Sequence, residues 1–430
     1  MVLGALNGLR VLESSAFIAA PLAGMTLAQF GADVIRIDPI GGGLDYNRYP
    51  VLPGGRSLYW TGLNKYKRSV AVDIGRPEGR ELVQALATAP GEGGGIVLTN
   101  LGAPWLSHST LSERRADLIS CTIEGSSDGR TAVDYTVNCA TGIPAITGPD
   151  GHYAPVNQVL PAWDVICAHQ AALAIAIAGI SRRLNGAGSE LRLALSDTAF
   201  STLSNLGFLA EAELLHRDRA ADGNFLYGAF GRDFVTADSE RVYIAAITKG
   251  QWSKLVRACE IGEEIQELES TAKVDLTREA DRYGARDAIA SIVQRWCSSR
   301  TFQTIEQRFG AFGVLWGRYE TMRTLVERDA RVSTQNPVFQ FIHTAGVGRH
   351  LAAGTPIRDI GLPRNPIRAA PRLGEHTDEV LMDLLGLTSA AVGRLHDNGT
   401  ICGSDADAPT GAMRAVWTET HGPRPSAASP

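Results

Sequence analysis

The sequence predicts an α/β protein: one large, open, largely parallel sheet flanked by helices, plus a smaller α+β domain. Three observations carry this. Short β-prone runs alternate with helical stretches across residues 9–123, the order that builds a parallel sheet with crossover helices. The 430 residues, 44% of them hydrophobic, are enough for more than one core. Beyond residue 222 the pattern changes to short alternating runs and then to amphipathic helices.

The elements follow in order. Leu9-Arg10-Val11-Leu12-Glu13 is the first strand, residues 21–30 form a helix with Pro21 near its start and Gly31 at its end, and Val34-Ile35-Arg36-Ile37 is the second strand. Residues 69–74 are a further strand. Pro77 opens a helix with Leu82, Val83 and Leu86 on one face, and Pro90 stops it. Residues 96–98 and 118–123 complete the sheet. Residues 163–180 carry few polar side chains and read as a core helix buried on most sides. Past the charged segment 216–222, residues 234–236 and 241–245 are short strands around Asp238-Ser239, and residues 287–296 and 302–312 are helices. The large domain is expected over 1–200 and 345–400 and the small one over 222–335. Residues 404–430, rich in Pro, Ser, Ala, Gly and Thr, are expected to be disordered.

Charge and composition exclude several classes of function. With 41 basic and 46 acidic side chains, the net charge of −5 offers no general attraction for nucleic acid or an anionic membrane. The longest apolar stretch, 171–180, is far short of the roughly 20 residues that span a bilayer. Cysteines 121, 139, 167, 259, 297 and 402 lack the paired spacing of a zinc site or disulfide framework, and the N-terminus lacks a signal-peptide pattern. A reduced, cytoplasmic protein without a metal is the expectation. Asp38 ends the second strand as a ribose-binding acid would, yet Ser14-Ser15-Ala16-Phe17-Ile18-Ala19-Ala20-Pro21 replaces the Gly-x-Gly-x-x-Gly turn, which argues against NAD or FAD. The glycine-rich stretch 91–95 follows a helix and reads as a connecting loop.

Four blocks, in order, resemble the class III (CaiB/BaiF-type) coenzyme A transferases: Leu6-Asn7-Gly8-Leu9-Arg10-Val11-Leu12, Gly31-Ala32-Asp33-Val34-Ile35-Arg36-Ile37, Leu63-Asn64-Lys65-Tyr66-Lys67-Arg68-Ser69, and Leu373-Gly374-Glu375-His376-Thr377-Asp378-Glu379-Val380-Leu381. The resemblance implies a Rossmann-like large domain and an interlocked homodimer whose active site lies between the large domain of one subunit and the small domain of its partner. It also implies an acyl-CoA thioester substrate and no cofactor beyond coenzyme A itself. Further stretches, including residues 14–21, Gly41-Gly42-Gly43-Leu44-Asp45-Tyr46, Val133-Asp134-Tyr135-Thr136-Val137-Asn138 and residues 224–234, resemble members that move coenzyme A between the two carboxyls of one C5 dicarboxylate, as in 3-hydroxypropionate-type carbon assimilation.

By resemblance, Asp134 is the nucleophile. A carboxylate attacking a thioester gives a mixed anhydride and a thiolate, two comparably activated species that exchange in either direction. The same resemblance puts Phe17, Ile18, Ala19 and Ala20 along the pantetheine, Arg36, Lys65, Lys67 and Arg68 near the phosphates, Leu63 and Asn64 among the coenzyme-binding residues, and Asn100 and Leu101 near adenine. Arg232, Asn157 and His152 are candidates for holding the free carboxylate. Departures matter too. Racemases of the family carry a histidine before this aspartate and a glutamate in the small domain, where this chain has Val133 and Thr248. Asp164 sits near the racemase's second acid, though its position suits a helix N-terminus. No glycine run like that of the intermolecular formyl-CoA transferases appears between Leu206 and Arg241. An intramolecular transferase is expected; intermolecular transfer, racemisation and a non-catalytic coenzyme-binding subunit are the alternatives, and Asp134 argues against the last.

Overall fold

The computed structural model describes residues 4–151, 154–361 and 363–404. The tail at 405–430 and His152 lie outside the described residues. Two compact units emerge: Met1–Val137, Leu160–Asn205 and Ala330–Pro430 form one, and Asn138–Val159 with Leu206–Asp329 form the other. Asn138–Val159 groups with the later segment through backbone bonds such as Gly223 N–H to Gly148 O, 3.0 Å.

In the first unit, β1 (Arg10–Ser14), β2 (Asp33–Asp38), β3 (Arg68–Val72), β4 (Ile96–Thr99), β5 (Ile119–Glu124) and β6 (Ser189–Ala194) run parallel in the order β3-β2-β1-β4-β5-β6. Ile401–Cys402 adds an antiparallel edge to β3. Sheet order reverses at β1, which has β2 on one side and β4 on the other, where Val11 pairs with Ile96, so the connections leave a crevice beyond the carboxyl ends of β1 and β4. Residues of the inner strands β2 and β4 are buried almost continuously, as expected of a sheet covered on both faces.

One face is covered by α1 (Ala19–Gln29) and, after the short α2 (Leu58–Leu63), α3 (Pro77–Thr88) and α4 (Asp134–Cys139), by the long α5 (Ala162–Asn185). On the other face, Val83, Leu86 and Leu111 join Val380, Leu381, Val392 and Leu395 over Leu12, Ile35, Val70 and Val97. Small residues let α1 approach closely. At Gly24 a Cβ would lie 1.8 Å from Glu13 Oε2, so only glycine fits there.

Helix α5 departs from its expected burial. By length and composition it could cross a membrane, but Cys167, Ala168, Ala171, Ala172 and Ile175 pack inward, where the helix meets α1 and β5. Its opposite face, with Leu173, Ile177 at 56% and Leu184 at 83% exposure, remains open in the single chain.

In the second unit, β7 (Phe230–Val235), β8 (Arg241–Ala246) and β9 (Leu315–Arg318) form an antiparallel sheet under helices Lys249–Cys259, Arg286–Ser298 and Phe302–Phe312. Its core holds Phe230, Trp252, Trp296 and Phe309, with the last two rings stacked 5.5 Å apart. A hairpin of β10 (Phe339–Thr344) and β11 (Gly348–Ala353) belongs to the first unit.

The crevice rests on a buried ion network. Arg36, with no exposed surface, donates to Asp38 at 2.9 Å, to Ser15 and Asn64 Oδ1 at 3.1 and 3.2 Å, and pairs with Glu13 at 3.3 Å and Asp45 at 3.2 Å. Lys67 Nζ reaches Glu13 at 2.8 Å and Asn64 Oδ1 at 2.8 Å. Burial alone would lower the Arg36 pKa, but Asp38, Asp45 and Glu13 together outweigh it and hold the guanidinium above its ordinary value. For Lys67 burial wins over Glu13, bringing the ammonium down to about 8. Removing Arg36 strands two buried carboxylates, Asp38 and Asp45, and leaves Glu13 with Lys67 alone. Arg36→Met is therefore expected to cost about 3–5 kcal/mol of unfolding free energy, measured by urea denaturation; a loss under about 1 kcal/mol would contradict this account of the network.

Candidate active site

The loop after β1 and the loop after β4 meet at the crevice. Asn100 Oδ1 accepts from Ala16 N–H at 2.9 Å, and its Nδ2 donates to Ala16 O at 2.7 Å. Phe17 takes a left-handed backbone, φ 66°, leaving its ring exposed while its N–H donates to Asp45 Oδ2 at 3.0 Å. Gly42, at φ 94°, permits the turn that returns Asp45 to this point, because a Cβ there would strike the Tyr46 ring at 2.4 Å. Asp45 thus ties Phe17 to Arg36, a positioning role that sequence reasoning missed; the run of three glycines before it was the available signal.

Asp134 opens α4 and is 1% exposed. Helix α5 begins after Pro161 with no side-chain cap, so its first N–H groups are without intrahelical partners. Asp134 meets them from outside: its Oδ2 accepts from Asp164 N–H at 3.0 Å and from Trp163 N–H. Its Oδ1 is buried and has no hydrogen-bond partner among the described residues. Burial raises the Asp134 pKa, and the two amides only partly offset it. One oxygen is thus fixed by the positive end of a helix, and the other is buried without a hydrogen-bond partner among the described residues.

Asp164 stands beside it. Burial first, and the Asp134 charge second, push its carboxyl up to about 7. Tyr59, on α2, is raised by burial, with Arg48 opposing and Asp164 adding to the rise. Arg48 lies 5.3 Å from the ring centres of both Phe17 and Tyr59. It borders a surface depression formed with Gly43, Leu44, Asn47 and Tyr49. This exposed cation carried no sequence signal and was also missed.

Several expected coenzyme contacts turn inward instead. Arg36, Asn64 and Lys67 are buried in the ion network with their polar groups already bonded to protein, and Ala19 and Ala20 pack in the core. Arg68 is held by Asp33 and Glu379, and Lys65 Nζ donates to Ala353 O at 2.9 Å. A basic run in sequence cannot distinguish phosphate ligands from internal ion pairs. Phe17, Ile18, Leu63, Asn100 and Leu101 retain some exposure. In the second unit, Arg232 stacks over the Phe225 ring at 4.5 Å and Asn157 Oδ1 accepts from Asn138 at 2.6 Å.

The racemase positions are in structural use. Val133 N–H donates to Thr136 Oγ1 at 3.0 Å. Thr248 and Gln251 form a reciprocal capping box at the start of Lys249–Cys259.

Known proteins resemble this chain over most of its length. The chain is 47% identical over 404 residues, 94% of its length and 99% of the relative's, to the 2-methylfumaryl-CoA isomerase of Chloroflexus aurantiacus. It is 26% identical to a formyl-CoA:oxalate CoA-transferase of Rhodopseudomonas palustris (strain BisB18), covering 92% of this chain and 97% of that one. A crystal structure of a CAIB/BAIF family protein from Brucella suis shares the fold, with a TM-score of 0.72 at 23% identity over 88% of this chain and 99% of that one. The description of CoA-transferase family III matches residues 6–377, and the chain belongs to that family.

Proposed function

We infer that this enzyme converts 2-methylfumaryl-CoA (mesaconyl-C1-CoA) into 3-methylfumaryl-CoA (mesaconyl-C4-CoA) by intramolecular transfer of coenzyme A. The observation that carries the reading is 47% identity, over nearly the whole of both chains, to a 2-methylfumaryl-CoA isomerase. The buried, half-held carboxylate of Asp134 supplies the chemistry.

Asp134 Oδ1 attacks the C1 carbonyl, the carbon–sulfur bond breaks, and a mixed anhydride and coenzyme A thiolate result. The thiolate then attacks Asp134 Cγ. Negative charge develops on Oδ2 in that step, the oxygen already facing the Trp163 and Asp164 N–H groups, which makes the start of α5 an oxyanion site. Mesaconate departs from Cγ, leaving an aspartyl thioester. Its C4 carboxylate attacks the same carbon and releases the thiolate, and thiolate attack at C4 gives the product and restores Asp134. No metal or redox group takes part, and retention of the diacid supplies proximity.

Asp134→Ala is expected to lower turnover by about 10⁴-fold or more while coenzyme A binding persists, as read by kinetics and calorimetry. Incubating the enzyme with mesaconyl-C1-CoA and labelled free mesaconate should give unlabelled C4 thioester; label in the product would mean intermolecular transfer.

The enzyme works, on this reading, as an interlocked homodimer in the cytoplasm. Leu173, Ile177, Ile180 and Leu184 support the dimer, since their spacing sets them in one exposed apolar stripe along α5. Ile177→Glu with Leu184→Glu should abolish the dimer mass in light scattering; an unchanged dimer would remove this stripe from the interface.

A further inference from the structure

The outer edge of β3 is closed by the far end of the chain. Ser69, with no exposed surface, sits in β3 beside Arg36 of β2. Its N–H donates to His376 Nδ1 at 3.3 Å, and its carbonyl accepts from His376 N–H at 2.9 Å. Two residues on, Ala71 N–H donates to Thr377 Oγ1 at 3.1 Å, and that hydroxyl donates to Cys402 O at 2.8 Å. A strand at a sheet edge would leave such groups unpaired; here the turn at residues 373–376, Thr377 and Ile401–Cys402 take them up.

The Ser69 hydroxyl continues the connection inward. It accepts from Gly374 N–H at 3.0 Å and donates to Asp38 Oδ2 at 3.2 Å. Gly374 comes this close because it has no side chain: at φ 69° a Cβ would lie 2.7 Å from Cys402 O and 3.0 Å from Ala71 Cβ. From Asp38 Oδ1 the path runs to Arg36 Nε at 2.9 Å, then from Arg36 Nη2 to Asp45 Oδ1 at 3.2 Å, and from Asp45 Oδ2 to Phe17 N–H at 3.0 Å. Ser69, Asp38, Arg36 and Asp45 are each at most 1% exposed, so the polar groups along the path depend on one another for partners. A second tether runs beside it. Arg56 donates to Tyr46 OH at 2.9 Å, next to Asp45, and to Pro371 O at 2.9 Å. The loop after β1 is thereby tied to a turn near the opposite end of the chain.

We propose that Ser69 is a positioning residue for coenzyme binding, whose hydroxyl transmits the fixed turn at Gly374 to the loop at Phe17 and so holds the crevice in the shape that takes the acyl-CoA. Ser69 touches neither the coenzyme nor the reacting atoms. It acts through Asp38, Arg36 and Asp45, and the inference rests on the reading of the crevice as the coenzyme site. Coupling between two sites is reciprocal, so coenzyme in the crevice also tightens the turn at Gly374.

The test removes the hydroxyl and keeps the strand. Ser69→Ala should weaken coenzyme A binding about fivefold in calorimetry and raise KM for mesaconyl-C1-CoA by a similar factor, with kcat within about twofold of wild type. Ser120→Ala is the control: a buried serine of β5, off this path, whose hydroxyl pairs with His108 Nδ1 at 2.8 Å. It should lower the urea midpoint and leave the affinity unchanged, which separates lost stability from lost positioning. Hydrogen exchange supplies a second readout: saturating coenzyme A should slow exchange of the Gly374 amide in wild type and not in Ser69→Ala. Calorimetry and exchange both use coenzyme A itself, so they hold whether or not mesaconyl-C1-CoA is turned over. The proposal is overturned if Ser69→Ala binds as wild type does, if Ser120→Ala binds as weakly as Ser69→Ala, or if the wild-type Gly374 amide does not respond. Leu101→Glu, in the loop after β4, tests the underlying reading by setting a negative charge against the coenzyme phosphates. Normal binding there would put the coenzyme elsewhere and take the Ser69 role with it; weak binding there with normal binding by Ser69→Ala would sink the Ser69 role alone.

Discussion

Arg36 sits where three chain segments must agree. It leaves β2, accepts company from Glu13 at the end of β1, reaches the loop that carries Asp45, and shares Asn64 with Lys67 from the approach to β3. Such a group is expensive to bury alone, and its five donors are satisfied only if those segments take up one arrangement. Because Asp45 also accepts the Phe17 N–H, the network fixes the backbone of the loop after β1, and Asn100 fixes that loop against β4. The floor of the crevice is thus specified by charge, whereas the sheet beneath it is held by ordinary apolar burial.

Helix α5 then does two jobs with two surfaces. Its small, buried face lies on α1, where Ala19, Ala20, Ala23 and Gly24 permit close approach. Its uncapped first turn supplies the amides that Asp134 requires. The absence of a capping side chain at the N-cap is informative here: a serine or aspartate there would have satisfied those N–H groups internally and left none for Asp134. An aspartate from another element occupies the cap, so the helix end is stabilised and the carboxylate is oriented by the same bonds.

Much of the fold was legible. The strands at 9–13, 34–37, 96–98 and 118–123 and the helix at 302–312 follow from apolar period and from Pro and Gly punctuation, and each is found within a residue or so of its expected bounds. The edge strand β6 and the two-residue strand Ile401–Cys402 were not foreseen, since their identity depends on a neighbouring strand far along the chain. The reading of Asp134 as a nucleophile rests on resemblance alone; nothing in a Val-Asp-Tyr triplet announces one. Arg36 and Lys67 show the converse difficulty. Both were read as phosphate ligands because a cation in a family block has no visible partner in one dimension, and Glu13, Asp38 and Asp45 become its partners only after folding.

On the proposed mechanism, the asymmetry between the two oxygens of Asp134 lets one carboxylate serve every step. In that proposal each bond made or broken at Cγ involves the unpaired side of the group, while Oδ2, which the amides already hold in the resting carboxylate, would keep them as carbonyl and as tetrahedral oxyanion. Donors arranged in advance cost no reorganisation when charge arrives. Their stabilisation of the resting carboxylate is opposed by burial, which raises the pKa and so keeps the anion reactive. A carboxylate fully satisfied on both oxygens would be a better structural acid and a poorer nucleophile, and the unbonded Oδ1 is the departure from structural optimum that the proposed mechanism uses.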